Sequence, residues 1–159
     1  MDALMIGLIV GGFILLIFGF WFFSTWNRLV RLEENANKSW ADIDVLLKQR
    51  YDMIPNLVNI VKGYAEHERE IFEQFALARQ TAAGCLAQGD VKGVGAAEGM
   101  LSGLMPKINM VAEQYPDLKA DTSFVNLQNQ LVALENQLAD RREFYNASST
   151  NFNSAIQMI

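Results

Sequence analysis

A chain of 159 residues with 18 acidic and 13 basic side chains has a formal net charge of −5, and it lacks the clustered Lys and Arg of a nucleic-acid surface. The single cysteine, Cys85, excludes an intramolecular disulfide, in keeping with a reducing compartment. Prolines are few, β-branched residues are sparse outside the N-terminal run, and Leu, Ala, Gln, Asn and Glu are abundant, so helices are favoured over strands.

The first element is apolar. No charge occurs between Asp2 and Arg28, and fourteen of the 21 residues from Ala3 to Phe23 are Leu, Ile, Val or Phe. At ~1.5 Å per residue this run makes a helix of about 31 Å, the thickness of a bilayer core. Met1-Asp2 is no basic n-region, and no cleavage signal follows Phe20-Trp21-Phe22-Phe23. The run is therefore expected to be a retained single-pass anchor, residues 1–27, and not a signal peptide. Arg28, Arg31 and Lys38 follow the span. The positive-inside rule then puts the short N-terminus outside and the remainder in the cytoplasm. Trp21, Trp26, Arg28 and Arg31 would anchor the interface. Gly7 and Gly11, with Gly12 adjacent, form the Gly-x-x-x-Gly spacing that lets membrane helices approach closely; the alternative is ordinary glycine, which is commoner in membrane helices than in soluble ones.

Residues 28–159 show apolar spacings of three and four in four stretches, expected at about 28–51, 55–86, 91–114 and 122–157. The first stripe holds Leu29, Leu32, Ala36, Trp40, Ile43 and Leu47, with no breaker between it and the span. The second holds Val58, Val61, Ala65, Phe72 and Phe75. Between them stands Pro55, which pushes its preceding residue out of the α region. A break at 52–54 is favoured. The alternative is one kinked helix, since Leu47, Tyr51, Ile54 and Val58 keep the apolar phase.

Gln88-Gly89-Asp90 reads as a turn, and Tyr115-Pro116-Asp117 ends the third stretch, which carries Val94, Leu101, Leu104, Ile108, Val111 and Tyr115. Gly95, Gly99 and Gly103 repeat at four-residue intervals there, as a close-approach face or a frayed helix. Asp121 or Thr122 would cap the fourth stretch. This has Phe124, Leu127, Leu131, Leu134, Leu138, Tyr145, Phe152 and Ile156 in nearly heptad, coiled-coil-like spacing. Its many amides read as a solvated face, or alternatively as a polar subunit interface, and Arg141 falls at a core-type position.

The fold expected is all-α, a single transmembrane helix continuing into an antiparallel up-and-down four-helix bundle. Trp40, Ile43, Leu47, Phe72, Leu104 and Leu134 would share its core.

Ser39-Trp40, Ile43-Asp44-Val45, the segment from Leu47 to Asp52 and Ile54-Pro55-Asn56-Leu57-Val58 are distinctive. So are Lys62-Gly63-Tyr64-Ala65, the segment from Tyr115 to Ala120, Phe144-Tyr145-Asn146, Phe152-Asn153 and Ala155-Ile156. Together they resemble the signature of the LemA family of bacterial membrane proteins. The resemblance implies one N-terminal span, an antiparallel helical bundle and no established enzymatic activity. The glycines and Pro106 of the third stretch depart from it, since the family usually has an ordinary helix there. The chain also stops at Met158-Ile159, where the family pattern normally continues into a short tail.

No catalytic constellation is legible. His67 lacks the second His of a zinc-protease motif, position 71 being Ile, and it reads as a solvated helix residue. Cys85 has no basic neighbour to lower its thiol pKa. The glycines of the third stretch match no phosphate-binding loop, and Asp42 and Asp44 point in different directions on a helix. No enzyme, cofactor or metal is expected. The reading is a membrane-anchored scaffold whose partners are the bilayer and further copies of itself. The alternative is an adaptor that presents its bundle to a membrane enzyme such as a protease.

Overall fold

A computed structural model describes the backbone of residues 3–158 and the side chains of residues 7–158. Met1, Asp2 and Ile159, and with them the expected position of the N-terminus, lie outside the described residues. Among those residues the elements are helices only: α1 (Ala3–Tyr64), α2 (Arg69–Ala87), α3 (Val91–Gln114), α4 (Pro116–Ala120) and α5 (Thr122–Gln157).

The favoured break at 52–54 is overturned. Pro55 lies inside α1, and the connection to the next helix comes at residues 65–68 instead. A proline inside a helix cannot donate to the carbonyl four residues earlier, here that of Tyr51. Arg79 Nε of α2 donates to that oxygen at 2.7 Å. The continuous apolar phase supplies the other reason, because Tyr51, Ile54 and Leu57 are all buried. A break would have turned them away from the core.

The other boundaries follow from capping. After α2 the Gly89 amide donates to the Leu86 carbonyl and the Asp90 amide to that of Cys85. This pair of bonds reverses the chain with its C′ residue in the left-handed region. Gly89 has a φ of 70°, which side-chain-bearing residues rarely adopt. Asp90 Oδ1 then accepts from the Gly93 amide at 3.0 Å and starts α3. Pro116 opens the short α4, which the sequence reading did not include, and Leu118 is buried there. Asp121 Oδ1 caps α5 by accepting from the Ser123 and Phe124 amides, at 2.7 and 3.1 Å.

Two compact units divide the chain. One is Asp42–Arg141. Its core contains Ile43, Leu47, Leu57, Val61, Phe72, Phe75, Leu101, Leu104, Ile108, Leu118, Phe124, Leu131, Leu134 and Leu138. The stripes read from spacing omitted several of its small members, Ala78, Ala82, Ala97 and Ala112, which are buried where helices come close.

The second unit combines α1 up to Ala41 with α5 from Arg142 onward. Here Trp40, expected in the common core, is half-buried and meets Tyr145, with ring centroids 5.4 Å apart at 52°. Ile156 also departs from expectation. It is exposed, and its neighbour Ala155 occupies the buried position. His67 lies in the turn between α1 and α2, and not on a helix.

Candidate functional site

Within the unit Asp42–Arg141, charge has been taken into the core. Arg50 of α1 is only 3% exposed and Glu98 of α3 only 2%. Arg50 Nη1 donates to Glu98 Oε2 at 2.8 Å. Arg50 Nη2 reaches Ser102 Oγ at 3.4 Å, and the Ser102 hydroxyl donates to Glu135 Oε1 of α5 at 3.2 Å. Three helices are thus tied by one polar chain.

Both charged residues lie on stripes otherwise filled by apolar side chains, Arg50 between Leu47 and Ile54, Glu98 between Val94 and Leu101. The sequence reading passed over them, although a charge on an apolar stripe was the available signal. A buried pair in a low-dielectric interior contributes little net stability, but either member alone is costly. It therefore serves to fix which turn of α1 faces which turn of α3.

A groove of about 470 Å³ opens beside this chain, with Arg50, Ser102, Pro106, Asn109, Gln128 and Glu135 among its walls. Gln128 Nε2 donates to Asn109 Oδ1 across it. Elsewhere Lys107 Nζ donates to Gln74 Oε1 at 2.9 Å, and the Tyr64 hydroxyl to Asp121 Oδ2 at 2.8 Å. The Asp121 carboxylate is held below its ordinary value of 3.8, mainly by the Tyr64 hydroxyl and then by the Phe124 amide. That same hydrogen bond raises the Tyr64 hydroxyl above 10.0.

Arg141, at a core-type heptad position, is exposed, with Nη1 3.6 Å from Asp42 Oδ2. Asp44 turns to Lys48 at 2.6 Å, so the two aspartates serve different partners. Cys85 is half-buried, and a Cβ placed on Gly93 would lie 2.7 Å from its Sγ.

The residues singled out for helix packing look outward. A Cβ added at Gly7, Gly11, Gly12, Gly95, Gly99 or Gly103 would meet nothing within 4 Å. Among the described residues, no helix uses the space they leave. Trp21 and Trp26 are exposed and take part in aromatic clusters, Phe18 with Trp21 and Phe22 stacked on Trp26. Arg31 Nε donates to the Asn27 carbonyl at 3.2 Å, and Arg28 is exposed. Among the described residues, α1 is the helix long and apolar enough to cross a membrane. The best 18-residue window has a mean hydropathy of 2.2, and none of it is covered by the protein.

Comparison with known proteins identifies a family and several relatives. A family model described as the LemA family matches residues 39–159. Magnetosome protein MamQ 1 of Paramagnetospirillum magneticum is 25% identical over 155 residues, covering 82% of this chain and 57% of the relative. Magnetosome protein MamQ of Magnetospirillum gryphiswaldense is 23% identical over 154 residues, with the same coverage. Protein LemA of Metamycoplasma hominis is 25% identical over 142 residues, covering 88% of this chain and 63% of the relative. The chain thus spans about three-fifths of the length of these curated relatives. The matched region contains Arg50, Glu98, Ser102 and Glu135 together with most of α1's buried turns and all of α2 to α5, and on that match the chain belongs to the LemA family.

Proposed function

We propose that this protein is a non-enzymatic, membrane-anchored helical scaffold that assembles with copies of itself. Its helices form an antiparallel, up-and-down four-helix bundle, with the N-terminus outside the inner membrane and the bundle in the cytoplasm. The observation that carries the reading is α1 itself: a single helix whose first part is apolar on every side and uncovered, and whose last part is buried among α2, α3 and α5. One helix therefore contributes both the apolar segment and part of the packed core.

Self-association is supported by the open glycine positions. Gly7 and Gly11 lie one turn apart with nothing over them. In lipid, close backbone approach at such residues accumulates dispersion contacts. Gly95, Gly99 and Gly103 give α3 a similar open row outside the span. Identical subunits held in this way favour closed symmetry.

Light scattering of the full chain in mild detergent tests the assembly. The wild type is expected as a multimer of one chain, and Gly7→Ile with Gly11→Ile should lower the mass without changing helical content. A wild-type monomer, or full mass in the double variant, would overturn the glycine interface. A monomer that enlarges only when a second protein is added would favour an adaptor. Orientation is tested with a cysteine at Gln88 in a Cys85→Ser background. It should resist impermeant reagents applied to intact cells, and labelling from outside would refute a cytoplasmic bundle.

A further inference from the structure

The end of α5 has a character that the scaffold does not require. Between residues 122 and 143 the helix carries Glu135, Asp140, Arg141, Arg142 and Glu143, whereas from Phe144 to Gln157 it carries no charge. In this uncharged part Tyr145, Ser148, Ser149 and Phe152 are half-buried and Ala155 is buried, a single stripe at helical spacing. Tyr145 meets Trp40 of α1. Further along, Ala155 and Met158 line a cavity of about 200 Å³ with Trp21, Thr25, Arg28 and Leu29.

That shared cavity fixes a depth. Trp21 belongs to the uncharged run of α1, and Arg28 is the first charge after it. A guanidinium stays at headgroup level and tryptophan prefers the boundary between lipid and water. Ala155 and Met158 therefore lie at the edge of the bilayer. The surface they leave uncovered is apolar, Ile156 being 49% exposed and Met158 71%. In water that surface would be a liability. Beside Trp21 it meets the interface and the upper acyl chains, where apolar side chains of an uncharged helix end are accommodated while the carbonyls of its last turn stay within reach of headgroup water.

We propose that the last two turns of α5 and the Met158 that follows them form a second membrane-contacting element, with Ile156 and Met158 inserted among phospholipids of the leaflet next to Trp21 and Arg28. The inference rests on α1 crossing the membrane. Lipid headgroup phosphates would pair with Arg28 at the rim of the cavity, and the adjoining acyl chains would cover Met158. The protein would then grip the membrane at two points, with α5 held against α1 by lipid as well as by the Trp40–Tyr145 contact.

Depth-dependent fluorescence quenching tests this. The full chain with Cys85→Ser is reconstituted into phosphatidylcholine–phosphatidylglycerol vesicles containing nitroxide lipids, shallow or mid-chain. A fluorophore is attached at Met158→Cys, at Ile156→Cys, at Phe18→Cys in the span, or at Val132→Cys, an exposed site in the charged part of α5. Phe18→Cys should be quenched by the mid-chain nitroxide. Met158→Cys and Ile156→Cys should be quenched by the shallow nitroxide several-fold more than Val132→Cys. If both match Val132→Cys while Phe18→Cys is quenched, the second contact is wrong and the span stands. Blue-shifted emission at 156 and 158 without quenching would also overturn it, by placing protein there. If Phe18→Cys is not quenched by either nitroxide, the span reading fails and this inference with it.

Discussion

Arg79 Nε lies 2.7 Å from the Tyr51 carbonyl oxygen, which stands four residues before Pro55. One side chain of α2 supplies the donor that the proline lacks. The backbone of α1 stays helical through a residue that normally interrupts it, and α2 is tied to that turn. We expect Arg79→Met to cost ~1–3 kcal/mol, the range for a carbonyl deprived of its partner at a sheltered site. In a Pro55→Ala background, where residue 55 can donate, the same substitution should cost roughly half as much or less. Chemical denaturation of the four proteins measures the coupling, and equal costs in both backgrounds would break the link between Arg79 and Pro55.

The buried pair leads to an asymmetric expectation. Arg50→Met or Glu98→Leu alone should each destabilise by ~3–5 kcal/mol, because one member of a buried pair loses its counterpart. Arg50→Met combined with Glu98→Leu should recover much of that loss, since two apolar groups need no partner. Denaturation midpoints distinguish the cases. A double variant as unstable as the sum of the single ones would mean that Arg50 and Glu98 act independently, and that loss of the pairing is not what each single substitution reports.

Two glycines should respond with opposite sign. Gly84 lies in α2 with open space around it, so Gly84→Ala should stabilise by about 1 kcal/mol through helix propensity alone. At Gly93 a new Cβ would press on the Asp90 carboxylate that caps α3, and on Cys85 Sγ. Gly93→Ala should therefore lower the melting temperature despite the same propensity gain. A rise at both sites would show that the cap and the thiol yield without cost.

The Tyr64–Asp121 hydrogen bond gives pH dependence at two ends. The lowered Asp121 pKa contributes stability that is present above 3.8 and lost as pH falls through the lower folded value. The raised Tyr64 pKa contributes stability that is present below 10.0 and lost as pH rises through the higher folded value. The contribution is whole between those limits. The melting difference between wild type and Tyr64→Phe should be constant at neutral pH and shrink toward both extremes. The Asp121 resonance should titrate closer to 3.8 in the variant, and an unchanged titration would remove Tyr64 as the main cause.

What the sequence by itself determined was set by local periodicity and by chemistry that acts within a few residues. The apolar stripes around Leu47, Phe72, Leu104 and Leu134, the turn at Gly89 and the cap at Asp121 each arise from residues a few positions apart, and the uncharged run before Arg28 is a matter of composition alone. The continuity of α1 was decided elsewhere, because the donor that meets the Tyr51 carbonyl comes from α2, 28 residues away. The partnership of Arg50 with Glu98 spans 48 residues, and spacing within one helix does not encode which distant charge will face it. Trp40 and Ile156 fit their stripes by spacing, yet they are half-buried and exposed. A helical pattern specifies a face, and only tertiary packing decides how far along that face the protein covers it.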